Sequence, residues 1–382
     1  MKLIASLKLQ PTEEQRQALL ETLECVNDAC NYISEIAWRH KHFGKWALHK
    51  LCYYDVKKRF GLTAQAVVRA IAKVANAYKL DHKTKRVFKR HSAVAYDDRI
   101  LRYKSDGTVS IWTVKGRQRI PYACGERQRK LLKTRQGESD LIYYNGQFFL
   151  NATCNVEEPP PYEPQGFLGV DLGIVNIAAD SDGETFAGGK VNGLRKRHRK
   201  LRARLQAKGT KSAKRLLKKR SKKEHRFMTD ANHCIAKRLV AKAKATRRGV
   251  ALEDLKGIRR RITVRRRQRA IFSSWAFAQL QRFILYKAKL AGVPTVFVNP
   301  RNTSCTCPVC GCTDKRNRPS QSIFSCVHCG FAGPADTIAA SVIARRAAVN
   351  LPNAAGAVSK DLGQLRHHLS PACKLPALAG SS

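Results

Sequence analysis

Apolar and polar positions alternate through residues 2–9 (KLIASLKL), the period-two pattern of a strand with one face inward. Helical spacing follows at once. Pro11-Thr12-Glu13-Glu14 reads as a helix start, with Thr12 placed to cap and two acids in the first turn. Leu19, Leu20, Leu23, Val26, Ala29, Cys30 and Ile33 then fall on one face of a pattern that stays helical to about Tyr78. Within it, residues 62–79 (LTAQAVVRAIAKVANAYK) form a second helical run whose Gln65, Arg69 and Lys73 share a face that could meet DNA. After residue 85 the texture changes to β-branched and aromatic alternation over 109–123 and 139–156, with the hairpin-turn pairs Asp106-Gly107 and Asn145-Gly146. These patterns predict a β-barrel from residues 1–10 and 86–155, its first strand pairing with the later ones around a helical insert at 11–85. Glu157-Glu158-Pro-Pro-Pro-Tyr-Glu-Pro marks a stiff linker over 156–165.

Beyond the linker, 166–176 (GFLGVDLGIVN) reads as a buried strand that turns at Gly173. Further strands are expected at Ile177–Ala179 and Thr185–Ala187, around the turn Ser181-Asp182-Gly183. Residues 195–226 form one long basic helical stretch with a thin stripe of Leu194, Leu201, Leu205, Leu216 and Leu217, continuing through His233 and Ile235 to Leu239. Residues 249–255 (GVALEDL) read as a strand ending in acids, 273–291 as an amphipathic helix and 294–298 (PTVFV) as another strand. After Asn350 the composition drifts to Ala, Gly, Pro and Ser, which predicts a largely disordered 350–382.

Charge narrows the function. The 382 residues carry 73 Lys+Arg against 28 Asp+Glu, a net charge of +45. Such a chain repels itself unless a polyanion neutralises it, and nucleic acid is the commonest one. The N-terminal decapeptide meets Lys8 too soon for a signal-peptide core. No apolar run reaches the ~18–20 residues that a membrane span needs. Of thirteen cysteines, six crowd between 305 and 329. An odd total with CxxC clustering points to a metal site in a reducing, cytoplasmic compartment.

Two matching knuckles, Cys307-Pro-Val-Cys310-Gly311 and Cys326-Val-His-Cys329-Gly330, carry four thiolates suited to tetrahedral Zn²⁺ in a structural site. Each ends in a glycine, which permits the positive φ that turns the backbone around a metal. Cys305 and Cys312 are then spare thiols nearby. Three acids also stand out. Asp171 and Glu253 each end an apolar strand, and Asp336 follows Gly333-Pro334-Ala335 at a helix start, where a capping role is the plainer reading. Together they suit carboxylates from two strands and a helix converging on two Mg²⁺ ions for phosphodiester hydrolysis.

GVDLGIVN, ALEDL and ADTIAASVI, with the paired CxxCG knuckles just before the third, resemble the RuvC-like nuclease core of the TnpB family, transposon-encoded relatives of type V CRISPR effectors. The resemblance continues through Asn232-His233, Ser274-Trp275-Ala276-Phe277, Gln281-Arg282-Phe283, Tyr286-Lys287-Ala288 and Pro300-Arg301-Asn302-Thr303-Ser304. It covers roughly 166–346, and 1–155 by layout alone. It implies an RNase H-like α/β nuclease domain at 166–303 and 333–349, a zinc ribbon at 304–332, and a preceding oligonucleotide-binding barrel with a helical recognition insert. It also implies a guide RNA from the transposon end, a short motif flanking the target, and Mg²⁺-dependent cleavage of double-stranded DNA. Carried over by position, Asp171, Glu253 and Asp336 are the magnesium ligands, and Cys307, Cys310, Cys326 and Cys329 bind zinc. Two departures stand out: Ile338 and Val342 occupy positions where the family often has Asn, and Cys305 stands where Gln is usual.

In this picture, sequence reading is delegated to base pairing while the protein holds phosphates. The expected backbone contacts are Arg195, Lys196, Arg199, Arg202, Lys218 and Arg220 in the long basic stretch, with Arg265 and Arg266 as a second group. Two other readings compete: a transposase or integrase on an RNase H-like core, and a guide-directed DNA-binding repressor that does not cut.

Overall fold

The computed structural model describes residues 1–255, 257 and 277–349. Contacts divide the chain into two compact units, one of Met1–Glu157 and one beginning at Glu158.

In the first unit, β1 (Lys2–Leu9) leads into three helices, α1 (Glu13–His40), α2 (Lys45–Phe60) and α3 (Ala64–Leu80). Thr12 caps α1 as its position suggested: its hydroxyl accepts from the Gln15 amide while the Gln15 side chain accepts from Thr12 N–H. The later strands are β2 (Val94–Tyr96), β3 (Leu101–Tyr103), β4 (Thr108–Thr113), β5 (Gly116–Ala123), β6 (Arg135–Tyr144) and β7 (Gln147–Asn155), with a short helix α4 (Glu126–Leu132) before β6. They form one sheet in the order β2-β6-β7-β1-β5-β4-β3. β1 lies at its centre, antiparallel to β7 (Leu7 opposite Leu150) and β5 (Leu9 opposite Tyr122), so the first strand does pair across the helical insert. Both ends of the sheet feed the same interior: Val94 and Tyr96 from β2 and Leu101 from β3 pack in one core with Leu7 and Ile111. The sheet therefore wraps one main core, with a small second cluster of Ala5, Ala152 and Cys154, although no described ladder joins β2 to β3 to close the expected barrel.

The unit boundary falls inside the expected linker, but the linker's second half is anchored. Tyr162 donates its hydroxyl to Arg248 O at 2.8 Å. The second unit is built on β8 (Phe167–Asp171), β9 (Asn176–Asp180), β10 (Thr185–Ala187), β11 (Gly249–Glu253) and β12 (Thr295–Val298), in the order β10-β9-β8-β11-β12. β8 and β9 are antiparallel, whereas β8, β11 and β12 run parallel. The basic stretch is two helices, α5 (Gly189–Lys208) and α6 (Lys211–Ala245), where one was expected. Gly209 ends α5 in the left-handed conformation, and the Thr210 hydroxyl accepts from Ala213 N–H to start α6. The expected helix at 273–291 is described as α7 (Phe277–Ala291); its first residues, the 258–272 segment and the tail after Val349 lie outside the described residues.

Strand alternation gives the sheet two faces. Leu168, Val170, Val250 and Leu252 pack with Leu239 of α6 and Ile284 of α7. Phe167 and Ala251 turn the other way, onto Ile343 and Ala347 of α8 (Ala335–Val349). The ribbon sits between β12 and α8 and carries the hairpin β13 (Ile323–Ser325) and β14 (Ala332–Pro334), which runs straight into α8.

Candidate active site and zinc ribbon

Two parallel strands end side by side. Val170 is in register with Leu252, so the next residues, Asp171 and Glu253, finish β8 and β11 on the face covered by α8. The third acid, Asp336, is in the first turn of α8. Helix α8 can reach so close because its buried side is mostly alanine and β8 offers Gly169 beneath it. Ile338 and Val342, where family resemblance favoured Asn, are buried, and Ile338 packs against Phe324 and Cys326 of the ribbon.

Among the described residues, cations compensate the acids only in part. Burial first, then repulsion from Glu253 and Asp336, pushes the Asp171 carboxyl up to about 7, with Arg318 partly opposing. Burial also raises Glu253, against the pull of the Thr303 hydroxyl and Arg346. Asp336 accepts from Asn176 Nδ2 at 2.8 Å and from Arg318 Nη2 at 3.4 Å. Gln281 donates to the Glu253 carbonyl at 2.9 Å, and Thr303 donates to its carboxylate. Asp171, Asn176, Arg318 and Asp336 line a cleft of about 570 Å³ with Gln321 and Ser322 of the ribbon. Three oxygen-donor groups held this way, one of them with its carboxyl pushed up to about 7 by burial first and by its acidic neighbours second, have the chemistry of a hard divalent-cation site. Arg318 is a functional candidate that sequence reading missed: nothing in its polar loop separates it from the other cations.

The ribbon cysteines converge more tightly. The sulfurs of Cys307, Cys310, Cys326 and Cys329 all lie within 4.8 Å of one another, the one such metal-suited group among the described residues. The two knuckles repeat one backbone pattern: Gly311 N–H donates to Cys307 O and Gly330 N–H to Cys326 O, each at 3.0 Å, with both glycines at positive φ. This cluster fits a structural zinc site. Cys305 and Cys312 stay outside it.

The basic candidates separate by environment. Gln65 and Arg69 are bound to Asp97, Arg69 also to Glu138, and Lys73 is mostly buried and donates to Asn27 Oδ1 at 2.6 Å. Their face ties α3 to neighbouring parts of the first unit. Lys196, Arg199 and Lys218 stand exposed on α5 and α6. Arg202 pairs with Glu224 at 3.6 Å, and Arg220 buries an Nε with no hydrogen-bond partner. Arg195 is half-buried and lines a small cavity with Asn232 and Met228. Arg265 and Arg266 lie outside the described residues. No helix among the described residues is long and apolar enough to cross a membrane.

The second unit is thus an α/β sheet with three acids at the ends of neighbouring elements beside a four-thiolate ribbon, and parts of the chain match known families. Residues 151–257 match the family model OrfB_IS605, described as "Probable transposase", and residues 277–343 match the Cas12f1-like TNB domain. A CRISPR-associated endodeoxyribonuclease Cas12f1 of Syntrophomonas palmitatica is 30% identical over 186 residues, 44% of this chain and 36% of that protein. A TnpB-like protein of Methanocaldococcus jannaschii is 34% identical over 145 residues, 38% of this chain and 51% of that one. The matched segments are those of the TnpB and Cas12f proteins, the family that the motifs resemble. The chain thus spans between about a third and a half of these relatives' length. Among solved structures, a Cas12f1–sgRNA–target DNA complex aligns with a TM-score of 0.55 at 16% identity, over 86% of this chain and 81% of that one, a likeness of fold.

Proposed function

We propose that this protein is an RNA-guided endonuclease that cuts double-stranded DNA beside a short flanking motif, using magnesium held by Asp171, Glu253 and Asp336. The observation that carries this reading is the half-buried Asp171 carboxylate lining a cleft with Asp336 and ending its strand beside Glu253, in a chain of net charge +45. Groups that repel one another in this way suit a site completed by divalent cations. Two bound Mg²⁺ ions would supply activation of water and stabilisation of the leaving oxygen. Asp171 and Glu253 would hold them from the strand ends, and Asp336 from the opposite side of the cleft. Asn176 fixes the Asp336 carboxylate. Arg318 reaches in from the ribbon and is placed to neutralise charge on a phosphate seated between the acids. The exposed Lys196, Arg199 and Lys218 would contact RNA or hybrid backbone. Zinc in the ribbon would be structural, since no cysteine faces the cleft.

The test is to sequence the RNA that co-purifies with the protein and to offer a duplex matching it, with Mg²⁺. Cleavage that is lost in Asp171→Ala is expected. Guide-dependent binding without cleavage under any divalent metal would make the protein a repressor, and joining of transposon ends without RNA would make it a transposase.

A further inference from the structure

The stretch Pro300-Arg301-Asn302-Thr303-Ser304 touches the site through Thr303 alone, and its backbone is tightly held. It connects β12 to the ribbon. Asn302 takes the left-handed conformation at φ 60°. Its carbonyl accepts the backbone N–H groups of Cys305 and Thr306, each at 3.1 Å, and the Thr306 hydroxyl at 2.7 Å. Helix α8 clamps this turn from outside. Arg346 Nη1 donates to Asn299 O at 2.8 Å and Arg301 O at 2.7 Å, and Arg345 Nη1 donates to Pro308 O at 2.6 Å. The clamp presents one side chain inward: Thr303 is 4% exposed, and its hydroxyl meets Glu253 Oε1.

That hydroxyl has two acceptors in reach, the Glu253 carboxylate and Pro300 O at 3.1 Å, and a single proton to give. A carboxylate is the stronger acceptor. The backbone of Glu253 is already fixed by Gln281, so the remaining freedom is rotation of the carboxylate about its own side chain. We propose that Thr303 is a positioning residue of the catalytic site: it fixes the rotation of the Glu253 carboxylate and so aims its free oxygen at the divalent cation shared with Asp171 and Asp336. The inference rests on the three-carboxylate reading above. It gives the connector a task that a mere spacer between strand and ribbon would not have. Helix α8 then organises the site from both ends, with Asp336 in its first turn and the Thr303 connector gripped by its last two.

The experiment uses the full-length purified protein and Mn²⁺ as the probe, with affinity read from the free-ion electron paramagnetic resonance signal and zinc content measured in parallel. Hydrogen-bond partners of metal ligands, when removed, cost about 10–100-fold in metal affinity. Thr303→Val, which keeps the shape and removes the hydroxyl, should weaken Mn²⁺ binding by about tenfold with zinc content unchanged. Thr303→Ser should restore wild-type affinity, which a purely space-filling role would not predict. Thr303→Ala serves as a second hydroxyl-free variant should Val disturb the turn. Mn²⁺ binding that depends on Asp171 yet is the same in Thr303→Val and Thr303→Ala overturns this inference alone, as does a Ser variant as weak as the other two. Equal binding by wild type and Asp171→Ala overturns the three-carboxylate reading, and this inference with it.

Discussion

Gly169 on β8 and Ala340 on α8 approach so closely that a methyl group added to the glycine would lie 1.9 Å from the Ala340 carbonyl oxygen and 2.6 Å from the Ala344 nitrogen. Both obstacles are backbone, so neither can swing aside. The contact sits two residues before Asp171 and four after Asp336, and it fixes the separation of the strand and helix that carry them. Gly169→Ala should therefore destabilise the second unit by about 3 kcal/mol or more, the upper end of overpacking costs. It should also abolish cleavage even where the protein stays folded. Urea denaturation and a cleavage assay on the same preparation check both outcomes.

Arg318 pairs with Asp336 from the far wall of the cleft. It is held by its own loop, donating to Gln321 O at 2.9 Å, so its position does not depend on the acid. Arg318→Ala should leave zinc content and melting temperature near wild type while lowering cleavage by about 100-fold, as for loss of one donor that stabilises transition-state charge. A variant that cuts at the wild-type rate would remove Arg318 from the site.

Much of this was legible in the chain because the informative residues break a local rule. Asp171 and Glu253 are acids at the ends of apolar strands, and Cys307, Cys310, Cys326 and Cys329 repeat one spacing. Such signals are local, and the fold only had to bring them together. What stayed hidden depends on partners remote in sequence. Arg318 is one of 73 Lys and Arg residues, and only tertiary packing selects it. Gln65, Arg69 and Lys73 looked like a free polar face because their partners are remote: Asp97 lies 32 and 28 residues beyond Gln65 and Arg69, Glu138 lies 69 beyond Arg69, and Asn27 lies 46 before Lys73. The break between α5 and α6 had a visible marker, since Gly209-Thr210 is a good helix stop and start, but the Lys- and Arg-rich runs on both sides masked it. The strands β2 and β3 have three residues each, too short to show a period.

Zinc should act through position. Cys307, Cys326, Phe324, Ala335 and Ile338 form one small apolar cluster that welds the ribbon to the first turn of α8. Losing a thiolate loosens that weld next to Asp336. Cys326→Ser should lower bound zinc and reduce cleavage together, by about 100-fold for a displacement on the order of 1 Å at the reacting groups. Full activity in zinc-depleted protein would break the link between ribbon and site.

The charge state of Asp171 should be visible in stability without any substrate. Its carboxyl is raised to about 7 in the folded chain against an ordinary 3.8, so between those values the folded state holds a proton that the unfolded state has lost. Stability linked to this group must then fall as pH rises through that window, the reverse of a salt-bridged aspartate. The slope is at most about 1.4 kcal/mol per pH unit. Glu253 contributes in the same direction, so the informative quantity is the difference between wild type and Asp171→Asn, which keeps the shape and cannot ionise. In Mg²⁺-free buffer the variant should gain on the wild type between pH 5 and pH 8, followed by urea denaturation of the second unit. Adding Mg²⁺ at pH 8 should reverse the order, because a ligand that binds the folded state alone stabilises it by mass action and the variant has lost a ligand. A difference between the two proteins that is the same at pH 5 and pH 8, with and without Mg²⁺, would mean that Asp171 is neither buried among acids nor a metal ligand.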